Sequence, residues 1–127
     1  MKLKYTILYV ENVTATIEFY ENAFGFSRIF IHEAGDYGEL NTGETTLAFS
    51  SLKLMSDLGK NPQKASPSAP VFEIAFETTE VSKWLNQAIQ QGATLVQDVK
   101  LEPWGQTTSY VSDINGFLIE ICSPVQK

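Results

Sequence analysis

One succession of signals runs through this chain twice, and it limits the fold more than any single motif does. Residues 4–10, KYTILYV, are rich in Tyr, Ile, Leu and Val and read as a strand, closed by Glu11 and Asn12. Asn12 is a good helix N-cap, because its side chain can accept from an otherwise unpaired amide of the first turn. Val13, Ile17, Tyr20 and Phe24 then recur at helical spacing as one apolar stripe, which stops at Gly25. Three short runs follow, 26–33, 37–41 and 45–51, separated by Gly35-Asp36 and Thr42-Gly43, which are hairpin signals. The first half therefore reads βαβββ.

Residues 52–70 lose this pattern. Pro62, Pro67 and Pro70, interleaved with Ser and Lys, mark a connecting segment. The order then restarts, with residues 71–77 as a strand, Thr79 as cap, and Val81, Trp84, Leu85, Ala88 and Ile89 as a helix stripe ending at Gly92. Strands are expected at 93–97, 107–111 and 117–122, with Asn115-Gly116 as the tight turn before the last. Two copies of one supersecondary unit need not share residues to be recognised, because the order and spacing of element types carry the repeat. Each copy has one helix to cover one sheet face, so the other face must meet its twin, a second chain or solvent.

A single domain is expected for 127 residues. A hydrophobic share of 43% with 19% charged residues supports a folded core and excludes a disordered chain. The net charge of −6 gives no electrostatic footprint for phosphate backbones, so no nucleic-acid partner is expected. Cys122 is the only cysteine, which rules out an internal disulfide or a Cys-rich zinc site and makes a reducing, cytoplasmic location the expectation. The apolar part of the N-terminus is short and is followed at once by Glu11 and Asn12, so neither a signal peptide nor a membrane span is expected. There is no phosphate loop, nucleophile elbow or zinc spacing.

Two stretches carry a family likeness: YVENVTATIEFYENAFGF at 9–26 and EPWGQTTSYVSDINGFLIEICSP at 102–124. Together they resemble the glyoxalase, bleomycin-resistance and extradiol-dioxygenase superfamily, also called vicinal oxygen chelate, over about residues 3–124. The resemblance implies an α+β fold of two βαβββ modules, about 3–52 and 71–124, forming a U-shaped mixed sheet around a cleft, frequently in a homodimer. In metal-dependent members the ligands are cleft-facing His, Gln or Glu. Position by position, the first falls on Tyr5, one on Glu73, one on Glu120, and the last within residues 47–50, where no good ligand stands. The only histidine, His32, lies outside these positions, so an iron-binding triad of two His and a carboxylate cannot be assembled.

Strand alternation puts Glu73 with Ala75 opposite Phe72, Ile74 and Phe76, and Glu120 is likewise the lone charge in its strand. Taken by itself, this pattern also fits a solvated sheet face. With the resemblance, a ligand cleft of Tyr5, Glu73, Trp104, Tyr110 and Glu120 is expected. Trp104 also reads as a packing plug, and Tyr9, Tyr37 and Tyr110 as ordinary strand aromatics. Asp113 is explained by the turn it opens. Two readings follow. One is a small-molecule-binding protein like the drug-sequestering members, with no catalytic metal and an acidic cleft suited to a cationic guest. The other is a lyase, isomerase or transferase whose Glu73 and Glu120 hold a metal weakly, with Mg²⁺ or Mn²⁺ suiting oxygen-only ligands.

Overall fold

The computed structural model describes residues 1–125. It divides into two compact units, Met1–Ala65 and a second that begins at Ser66. Each contains one four-stranded mixed sheet.

In the first unit β1 (Tyr5–Val10) leads into α1 (Val13–Phe24), followed by β2 (Ser27–Ile31), β3 (Tyr37–Asn41), β4 (Thr46–Ser51) and a short α2 (Leu52–Asp57). The helix starts where the residues require it: Asn12 is extended and its Oδ1 accepts from the Ala15 amide at 2.9 Å. It stops at Gly25, whose φ of 75° lies in the left-handed region that glycine enters without strain. The strand order is β1-β4-β3-β2, with β1 parallel to β4 and the remaining pairs antiparallel. Leu8, Val10, Leu40, Leu47 and Phe49 are buried from one face of this sheet, as are Ile17, Tyr20 and Ala23 of the helix. The Tyr20 and Phe49 rings lie 5.0 Å apart. Each such large side chain contributes about 1.5–3 kcal/mol on burial, so this layer is the main source of the unit's stability. Gly38 allows the close approach of helix and sheet, because a Cβ there would meet Val13 Cγ1 at 3.2 Å and Ile31 Cγ1 at 3.3 Å.

The second unit repeats the plan with β5 (Glu73–Glu77), α3 (Val81–Gln90), β6 (Thr94–Leu101), β7 (Thr107–Ser112) and β8 (Leu118–Cys122), in the order β5-β8-β7-β6. Again the first and last strands are parallel. Val81, Leu85 and Ala88 of α3 are buried, as are Val111, Ile119 and Ile121 of the sheet. Asp113 holds the turn into β8, its Oδ1 accepting from the Asn115 and Phe117 amides at 2.9 and 2.8 Å.

The repeated βαβββ order is as expected, and the differences are local. Residues 52–70 are not connecting segment throughout, since Ser51 caps α2 through the Leu54 amide at 3.0 Å and Met55 is buried. Thr79 is not the cap of α3: the N-cap is Glu80 with no side-chain bond, and Thr78 Oγ1 instead accepts from the Glu80 amide at 3.1 Å. β5 begins two residues later than the apolar run, leaving Val71 and Phe72 exposed. β6 runs on past residue 97, carried by cross-strand pairs as far as Leu101↔Thr107. No helix among the described residues is long and apolar enough to cross a membrane.

Candidate functional site

Pleating sends alternate residues of each strand away from the helix layer, and the register then fixes which of them share a neighbourhood. In the second sheet Tyr110 stands directly opposite Glu120, and Glu120 directly opposite Ala75. Glu73 lies two residues from Ala75 on the same face of β5. The Tyr110 hydroxyl donates to Glu120 Oε2 at 3.0 Å. Burial raises the Tyr110 pKa well above the ordinary phenol value, and the Glu120 and Glu73 carboxylates add to the rise by hydrogen bonding and by charge. The phenol is therefore a proton donor at every physiological pH. Among the described residues no Lys, Arg or His forms an ion pair with Glu73 or Glu120.

Around this centre the face is polar and ordered. Gln97, opposite Tyr110, donates to Thr108 Oγ1 at 3.1 Å, and that hydroxyl donates to Glu102 Oε1 at 2.9 Å. Trp104 is 56% exposed, so within this chain it is not a packing plug. Its indole N–H donates to Gln106 Oε1 at 2.8 Å, and Gln106 Nε2 donates to the Ser123 carbonyl at 3.0 Å. An exposed ring is thereby held in a set orientation. The Cys122 thiol is pushed up to about 11, chiefly by burial and then by the Glu120 charge, which leaves it a weak nucleophile.

The first sheet places Tyr5 on β1, opposite Thr46, and Ile7 opposite Ala48. Ala48 relates to Ile7 as Glu120 relates to Ala75, so the register assigns to Ala48 the position that residues 47–50 left unassigned. Alanine offers no donor there. Beside it lies a pair that the sequence did not single out, in which the Tyr37 hydroxyl donates to Glu39 Oε2 at 2.7 Å. Tyr37 and Glu39 are two apart on one strand and therefore share a face, a signal visible in TyrGlyGlu once the strand is assigned.

A divalent catalytic site takes three protein ligands with an open position. Among the described residues no three His, Cys, Asp or Glu side chains come together in a way that could hold a metal ion. On the helix-free face of the second sheet Glu73 and Glu120 lie near Tyr110, whose hydroxyl already donates to Glu120, and no third such ligand joins them among the described residues. This donor set does not fit such a metal.

The family model described as a glyoxalase-like domain matches residues 3–126. The chain belongs to the glyoxalase-like family. Its fold is similar to that of a glyoxalase-related enzyme from Fulvimarina pelagi, with a TM-score of 0.83 and 22% identity over 98% of this chain and 88% of the other. A glyoxalase/bleomycin resistance protein/dioxygenase family enzyme from Burkholderia phytofirmans PsJN matches with a TM-score of 0.85 and 21% identity, covering 97% and 98% of the two chains. A superfamily member from Sphaerobacter thermophilus DSM 20745 gives a TM-score of 0.76 at 16% identity, with 98% of each chain covered. No curated protein matches. At these identities the structural likeness speaks for the glyoxalase-like fold. The α+β architecture, with the described strands in two open four-stranded sheets, each with its helix, is that fold.

Of the expected site residues, Glu73, Tyr110 and Glu120 are brought together on one glyoxalase-like sheet. Trp104 lies in the turn between β6 and β7 of the same unit, whose Gly105 amide donates to the Glu102 carbonyl at 3.0 Å. Tyr5 belongs to the first unit.

Proposed function

We propose that this glyoxalase-like chain is a small-molecule-binding protein of the glyoxalase and bleomycin-resistance type, working without a full catalytic metal site. One observation carries the reading. The Glu120 carboxylate on the helix-free face of the second sheet is held by a neutral phenol at 3.0 Å, with Glu73 beside it and, among the described residues, no basic side chain paired to either. Such a group is polar, ordered and short of hydrogen-bond partners, as a ligand site requires. The exposed Trp104 ring adds a surface for stacking. Its working form is a homodimer in a reducing, cytoplasmic compartment, a reading supported by the lone unpaired Cys122 and by exposed apolar side chains such as Val71 and Leu101.

The test is elemental analysis of protein purified without chelator, followed by thermal melts with Mg²⁺, Mn²⁺, Fe²⁺, Ni²⁺ and Zn²⁺ and with a panel of aromatic small molecules. A ligand at about 100 times its Kd adds about 2.7 kcal/mol, a shift on the order of 10 °C for a domain of this size. The expected result is a shift with organic ligands that is reduced in Glu120→Gln, and none with the metals. Near-stoichiometric metal, or a metal-induced shift abolished in Glu120→Gln, would overturn this reading in favour of a lyase, isomerase or transferase.

A further inference from the structure

The first sheet carries a carboxylate that neither the family's ligand positions nor the site above makes use of. Glu39 sits at the centre of the helix-free face, directly opposite Phe30 on β2 and Ala48 on β4, with Ile7 beyond Ala48 on β1. Ala48 has 0% exposure, so its neighbours already cover it and it offers a ligand no surface. Around it stand larger and more open side chains: Ile7 is 44% exposed, Phe30 41% and Tyr5 44%. The Phe30 and Tyr37 rings are 5.9 Å apart and tilted at 49°, so they present faces and edges around the carboxylate and do not stack flat. Tyr37 donates its hydroxyl to Glu39 Oε2 and fixes the carboxylate among them.

The charge balance of this neighbourhood is incomplete. The ion pairs among the described residues join Arg28 to Glu21, His32 to Asp36, Lys53 to Asp57, Lys64 to Glu11, Lys83 to Glu80 and Lys100 to Glu102. None reaches Glu39. A half-buried carboxylate flanked by apolar side chains and stabilised by one phenol is undersupplied with positive charge. A metal ion would find one carboxylate and no further strong donor. A cation with an organic body would instead find the carboxylate for its charge, ring faces for cation–π contact, and Ile7 with Phe30 for its apolar part.

We infer that the helix-free face of the first sheet is a binding site for an organic ammonium ion, seated on Glu39 between Phe30, Tyr37 and Tyr5. Every residue named in it belongs to the first unit. Its specificity follows from the parts: the carboxylate selects for positive charge, and the rings select against compact hydrated cations such as Na⁺.

The probe is benzyltrimethylammonium, with benzyl alcohol as the neutral comparison, titrated into ¹⁵N-labelled full-length protein. The expected result is that the cation shifts the amides of Phe30, Gly38, Glu39, Leu40 and Ala48, and that Glu39→Gln weakens it at least tenfold. Glu39→Gln should leave the weaker response to benzyl alcohol unchanged, and Glu44→Gln, which removes the same charge from the exposed β3–β4 turn, should leave the cation's affinity unchanged. Phe30→Leu, which keeps the bulk and removes the ring, should weaken the cation but not the alcohol. Shifts confined to the second sheet, equal affinity in Glu39→Gln, or no response to millimolar cation would each overturn the inference. The wild-type shift map decides the location even if Glu39→Gln fails to fold.

Discussion

At the scale of single residues, the two tyrosine–glutamate pairs show how a register turns isolated letters into chemistry. Tyr110 and Glu120 are ten positions apart and meet only because β7 and β8 pair them. Burial and the neighbouring carboxylates hold Tyr37 and Tyr110 above the ordinary phenol range. Because both pKa values are raised on folding, the stability each contributes is complete below the ordinary phenol value and is lost as pH rises through the raised one. Tyr110→Phe should accordingly remove amplitude from the most alkaline part of the tyrosinate absorbance titration and leave its early part unchanged. An early loss would contradict the assignment. Asp113 is the other residue whose role is local and complete: it is 4% exposed and caps two amides. Asp113→Ala leaves both without their acceptor and should cost about 1–3 kcal/mol in urea unfolding, with the midpoint lowered and the slope unchanged.

At the scale of elements, α1 was legible to the residue and α3 less so, for a physical reason. Asn12 and Gly25 impose a boundary through a side-chain bond and a left-handed backbone, whereas the N-cap of α3, Glu80, makes no side-chain bond. Asn12→Ala should lower stability by about 1 kcal/mol, read from thermal melts, and the same change at Glu80 should have a smaller effect. The packing of α1 on its sheet gives a sharper test at Gly38, which has an ordinary backbone conformation but no room for a methyl group. Gly38→Ala should destabilise by about 1–3 kcal/mol through overpacking against Val13 and Ile31, and Val13→Ala in the same chain should return part of that loss. If the two changes were simply additive, the close approach of helix and sheet would not be the cause. The strand ends were the least legible feature, because cross-strand bonds and not composition extend β6 to Leu101.

At the scale of the whole molecule, the duplicated βαβββ order accounts for the two sheets, and the exposed apolar residues bear on assembly. Val71, Phe72, Val96, Leu101 and Trp104 are between 48% and 97% exposed. A chain leaving these in water should associate, so light scattering at micromolar concentration is expected to give twice the chain mass, and a clean monomer would contradict it. The element types of the two βαβββ units, their repeated order, the cap at Asn12, the stop at Gly25 and the acidic balance were legible in the sequence, because these depend on composition, local periodicity and backbone preference, whereas the short α2 was not. Which side chains meet was decided only by tertiary structure. Glu73 and Tyr110 were both visible as candidates, but their convergence on Glu120, the loss of a donor at Ala48 and the pairing of Tyr37 with Glu39 depend on strand register. Register is a property of hydrogen bonds between distant segments, and a shift of one residue would turn every one of these side chains to the opposite face.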